Sequence, residues 1–123
     1  MVNINIWGRE FSLEVKYDCY FGEEVTQCQK ETFERFYYNP MWIEKAKRNV
    51  EMFCKKRVES DDENCQRDDI FSYIKPEYIF VKHDEKRPRI ALMCKYRYDL
   101  EHGLAVVFDA NGNVTVGIQD IIL

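Results

Sequence analysis

The chain changes its hydrophobic period twice, and this bounds the folds open to it. Val2, Ile4 and Ile6 alternate with polar neighbours, and Phe11, Leu13, Val15 and Tyr17 do so again after the break at Gly8-Arg9. A period of two sends successive side chains to opposite faces of a strand. From residue 23 to Cys54 the apolar positions instead fall three and four apart, the spacing of one helix face. From Tyr78 the period of two returns over residues 78–82, 89–98, 104–108 and 114–118. Strands, then helices, then a run of strands describe an α+β fold. The hairpin of residues 2–18 and the meander of residues 77–119 are expected to form an antiparallel sheet, with two helices packed on its apolar face.

Turn chemistry refines this outline. A two-residue turn with Gly first is a type II′ signal at Gly8-Arg9, which pairs Ile6 with Phe11, Ile4 with Leu13 and Val2 with Val15. The first helix is expected over residues 23–37, with Glu23-Glu24 at the positive end of its dipole and Val25, Cys28, Phe33 and Phe36 turned inward. Asn39-Pro40 ends it and starts the second, with Asn39 as N-cap. The second helix buries Ile43, Ala46, Val50, Phe53 and Cys54. Its basic residues Lys45, Lys47, Arg48, Lys55, Lys56 and Arg57 alternate with acids and read as a solvated face. At the last hairpin a three-residue loop, Ala110-Asn111-Gly112, keeps the apolar sets on one face by pairing Phe108 with Val114 and Val106 with Val116. The same rule applied to the preceding hairpin sets Tyr98 against Leu104.

At 123 residues, 46% of them hydrophobic and 15% aromatic, the chain supports one domain, residues 1–123, with its own core. The net charge of −4 argues against nucleic acid as a partner, because phosphates demand a basic face. No apolar run approaches the ~20 residues of a membrane span, and the start lacks a signal-peptide pattern. No membrane association and a cytoplasmic location are expected. Five cysteines without a C-x-x-C pair indicate reduced thiols rather than disulfides or a zinc site. No cofactor or metal is called for. Asp109-x-Asn111-x-Asn113 with Asp120 imitates calcium-loop spacing, yet Val114 stands where the sharp turn requires Gly.

Two groups of residues are candidates for function. Asp99, Glu101 and His102 precede Gly103 between two strands. As a turn, Gly103 supplies a positive φ, the carboxylates accept backbone amides and His102 donates. As a site, the three would serve a small enzyme or metal-dependent module, but a nucleophile or further ligand must come from elsewhere. The second group is the acidic stretch of residues 59–69, in which Glu59, Asp61, Asp62, Glu63, Asp68 and Asp69 outnumber a single Arg67. With Tyr20, Tyr37 and Tyr38 it offers a docking surface for a basic protein.

The ending "YDLEHGLAVVFDANGNVTVGIQDIIL" resembles a group of small, mostly uncharacterised bacterial domains. Their pattern, an aromatic and Asp before E-H-G, then N-G, then G-x-Q-D, falls on Tyr98, Asp99, Glu101, His102, Gly103, Asn111, Gly112, Gly117, Gln119 and Asp120. Leu100 departs from the Pro or Glu of that pattern. In size and setting such domains resemble the immunity partners of polymorphic toxins, which implies a non-catalytic protein that covers a basic toxin domain. A monomer or homodimer without enzymatic activity is expected.

Overall fold

Strands form where the period is two and helices where it lengthens. The computed structural model describes residues 1–19, 22, 24–61, 74–84, 86–97 and 99–123, with the backbone alone for 55–61. The elements are β1 (Val2–Ile6), β2 (Arg9–Tyr17), α1 (Gln27–Tyr37), α2 (Met41–Asp61), β3 (Ile74–Val81), β4 (Arg89–Tyr96), β5 (Leu104–Asp109) and β6 (Val114–Gly117), then a 3-10 turn, Gln119–Ile121. The strands make one six-stranded sheet in sequence order. This is the α+β fold expected, and the sheet is mostly antiparallel. One junction differs, since β2 and β3 run parallel with Val15 beside Ile79 and Tyr17 beside Val81. Parallel neighbours need a long crossover, and α1 and α2 lie within it.

The helices cover one face of the sheet. Phe36, Ile43, Ala46, Val50 and Cys54 are buried against Leu13, Ile79, Leu92, Val106 and Phe108. The inward stripe expected for α2 is the one observed, with Phe53 partly buried beside it. Trp42 stacks on Phe108 with ring centroids 6.1 Å apart, and Phe36 meets the same ring at 5.4 Å. No helix among the described residues is long and apolar enough to cross a membrane.

Two registers differ from expectation. In the first hairpin Ile6 pairs with Arg9 and Ile4 with Phe11, so the turn is Trp7-Gly8 rather than Gly8-Arg9. Both turn residues have positive φ, 50° and 86°, as a type I′ turn requires. Trp7 is held in this unusual conformation by α2, where its Nε1 donates to the Ile43 carbonyl at 2.9 Å. In the second case Cys94, not Tyr98, stands opposite Leu104, with Leu92 opposite Val106. The chain leaves the ladder after Tyr96 and closes a loop of its own, with the Asp99 N–H donating to the Tyr96 carbonyl at 3.0 Å. Both displacements are even, so the inward and outward faces survive. The β5–β6 register is the expected one, with Phe108 opposite Val114 and Gly112 at φ 83°.

The helix termini were also displaced. α1 begins at Gln27, without an acid in its first turn, because Thr26 and Gln29 form a reciprocal capping box. Glu24 therefore precedes the helix, and Glu23 lies outside the described residues. The Asn39 side chain does not start α2; its Nδ2 donates back to the Arg35 carbonyl at 2.6 Å and closes α1.

Candidate functional site

The E-H-G loop is built around one carboxylate. Asp99 Oδ1 accepts the His102 backbone N–H at 3.2 Å and lies 3.0 Å from His102 Nδ1. The Gly103 N–H donates to the Asp99 carbonyl at 2.8 Å, so the loop closes on itself at both ends of Asp99. Gly103 adopts φ 64°, the left-handed conformation the turn demands.

The distant G-x-Q-D segment completes this loop. The Gln119 N–H donates to the His102 carbonyl at 3.0 Å, and Gln119 Nε2 reaches the Cys94 carbonyl at 3.1 Å. The amide side chain crosses directly beside Gly103, where a Cβ would stand 2.7 Å from Gln119 Nε2 and 2.9 Å from the Cys94 oxygen. Thus the two halves of the motif are two sides of one clasp at the end of β4 and β5. Gly117 fits the same account, since a Cβ there would stand 3.0 Å from the Ile121 side chain.

The clasp orients an imidazole. The hydrogen bond to Asp99 and its charge hold the His102 pKa above its ordinary value against desolvation, with smaller contributions from Glu101 and Asp120. A raised folded-state pKa favours the folded protein below the unfolded value, and this contribution disappears as pH rises through the folded pKa. In a proton NMR titration His102 is expected to show a midpoint above the reference of about 6.5. Asp99→Asn should return it toward that reference, whereas equal midpoints in both proteins would remove the pair from the account.

Chemically, Asp99 and His102 alone make an oriented proton acceptor. The Cys94 thiol is buried in the main core, and burial, followed by Glu77 and Cys54, pushes its pKa far upward. Among the described residues no three His, Cys, Asp or Glu side chains are grouped to hold a metal ion. The calcium-like spacing at Asp109 has a local use. Its Oδ1 accepts the N–H groups of Asn111 and Asn113 at 2.8 and 3.0 Å, and Oδ2 accepts Asn113 Nδ2 at 3.0 Å. Desolvation opposes these bonds, but together with the Gly112 N–H they hold the Asp109 pKa below its usual value.

Of the docking residues, Tyr37 and Tyr38 stand at the corner between α1 and α2, 36% and 74% exposed. Their rings meet edge to face at 5.4 Å. Tyr37 also packs on Phe33, and its hydroxyl donates to the Asn3 carbonyl on β1 at 3.3 Å. Beside them lies a shallow cavity of about 250 Å³ lined by Asn3, Ile4, Asn5, Phe36, Tyr37, Pro40 and Ile43. The backbone of Glu59 and Asp61 belongs to the last turns of α2, while their side chains, together with Tyr20, Asp62, Glu63, Asp68 and Asp69, lie outside the described residues.

Sequence reasoning missed Gln29, which is 2% exposed. Its Nε2 donates to the carbonyls of Asp18 at 2.9 Å and Val81 at 3.2 Å, tying the start of α1 to the ends of the parallel strands. The signal was present as Thr26-x-x-Gln29, a capping-box spacing.

No curated protein matches this chain, and no solved structure does. Over residues 1–123 it matches the family described as Domain of unknown function (DUF6985), and the protein belongs to that family.

Proposed function

We propose that this protein is a non-catalytic protein-binding domain of the bacterial toxin-immunity type, acting in the cytoplasm on a partner with a basic surface. The observation that carries this reading is the exposed, mutually packed Tyr37–Tyr38 pair beside an apolar cavity. Aromatic anchors supply much of the affinity at protein interfaces, and a ring held in place before binding loses little entropy on docking. Met41, 59% exposed, extends the apolar surface at the same corner. The net charge of −4 supports electrostatic attraction of a basic partner, and the acids of residues 59–69 begin in the last turns of α2, at the other end of that helix from Met41.

The two components separate kinetically. With a basic partner recovered from the native host, Tyr38→Ala is expected to raise the dissociation rate roughly 30-fold, the effect of losing an aromatic anchor. Neutralising Asp61, Asp62, Asp68 and Asp69 to Asn should instead slow association and flatten its salt dependence. Surface plasmon resonance at two salt concentrations reads both effects, and unchanged association in the neutralised variant would sink the docking role of the acids.

A further inference from the structure

The face of the sheet away from the helices carries a second apolar cluster: Ala91, Met93, Ala105, Val107 and Ile122 are buried there, with Tyr78 and Phe80 packed against them. Four of the buried residues come from β4 and β5, where Ala91 faces Val107 and Met93 faces Ala105 across the ladder. The fifth comes from residues 118–123, which cross this face from one end to the other. At the first end Gln119 is fixed to the His102 and Cys94 carbonyls. At the other, the Leu123 carbonyl accepts from Lys82 Nζ at 3.2 Å, just beyond the end of β3. Between these anchors Ile122 is 2% exposed, while Ile121 and Leu123 remain 39% and 61% exposed.

We propose that residues 120–123 are a displaceable strap, a ligand carried by the chain itself, and that its trough accepts a short aliphatic segment of a protein partner. The occupant present in the structure defines the chemistry of the site: one isoleucine, seated where Ala91 and Ala105 leave room for a branched side chain. Opening leaves the main core intact, because Ile122 is absent from the cluster that joins the helices to the sheet. It also leaves the β3–β4 and β4–β5 ladders intact, since these pair without the strap. Local openings of this kind occur well below the free energy of global unfolding. The trough lies opposite the helix-covered face, so the proposal stands independently of the Tyr37–Tyr38 surface.

The test uses the full chain and a fluorescent peptide with the sequence of residues 117–123. Ile122→Asp should keep its native near-ultraviolet circular dichroism and bind the peptide at least 10-fold more tightly than the wild type, whose own strap competes. A peptide with Asp in place of the second of its adjacent isoleucines should not bind. Lys82→Met, which removes the Leu123 anchor together with the ion pair from Lys82 Nζ to Asp18 Oδ2 at 3.5 Å, should also bind the peptide more tightly than wild type, whereas Asp18→Asn, which removes that ion pair alone, should bind it no more tightly than wild type. Loss of the native spectrum in Ile122→Asp would overturn the proposal by making the segment part of the cooperative fold. Failure of the peptide to bind folded Ile122→Asp or Lys82→Met would overturn it equally.

Discussion

Gly103→Ala is expected to lower the unfolding free energy by about 3 kcal/mol, combining the cost of a left-handed non-glycine residue with that of overpacking. The backbone at Gly103 has φ 64°, so an added side chain is strained whatever space surrounds it. There is also little space. The new Cβ would meet Gln119 Nε2 at 2.7 Å, Gln119 Cδ at 2.8 Å and the Cys94 carbonyl oxygen at 2.9 Å. The side-chain amide can swing away, but only by giving up its bond to the Cys94 oxygen. That oxygen belongs to β4, paired on both sides with Pro76 and Leu104, and cannot yield in the same way. A loss of this size lowers the Tm of a domain this long by roughly 10 °C. Urea unfolding reads it directly, and a variant as stable as wild type would mean that the loop and the Gln119 segment do not meet.

The second large effect is expected at Phe108. Phe108→Ala should cost about 4 kcal/mol, the upper range for a buried aromatic. The side chain is fully buried in β5 and touches both helices, through Phe36 of α1 and Trp42 of α2. Trp42 also packs over the β5–β6 turn, where a Cβ on Gly112 would fall 2.6 Å from its Nε1. Removing the Phe108 ring therefore leaves a cavity beneath both helices that neither can fill alone. Phe108→Leu should cost less than half as much, because it retains most of the apolar volume. Thermal unfolding of the two variants checks this, and equal losses would mean that the shape of the ring rather than the retained apolar volume decides the cost.

Which side chains face inward was legible in the sequence because a period of two fixes a face without fixing a register. Ile6 and Ile4 keep the same face whether they pair with Phe11 and Leu13 or with Arg9 and Phe11. The actual turn depends on Trp7 reaching the Ile43 carbonyl, a contact 36 residues away that no local pattern contains. The β5–β6 loop was legible because Gly112 is the residue there able to take positive φ cheaply and the apolar pattern required the same register. The parallel β2–β3 junction was not legible, since two intervening helices permit either direction and only the packed structure chooses. The E-H-G loop was readable as a turn from Asp99 and Gly103. Its partner, Gln119, was visible only as part of a resemblance, because the hydrogen bonds that join them span the whole β5–β6 hairpin.

The central claim is that the D-x-E-H-G and G-x-Q-D halves form one structural clasp, joined through Gln119. A double-mutant cycle between Gly103→Ala and Gln119→Ala in urea tests it most directly. If the clasp is correct, shortening Gln119 makes room for the new methyl group, and the double variant should be more stable than the summed single losses predict by about 1 kcal/mol, the range of coupling between residues in contact. Strict additivity, as for residues far apart, would contradict it.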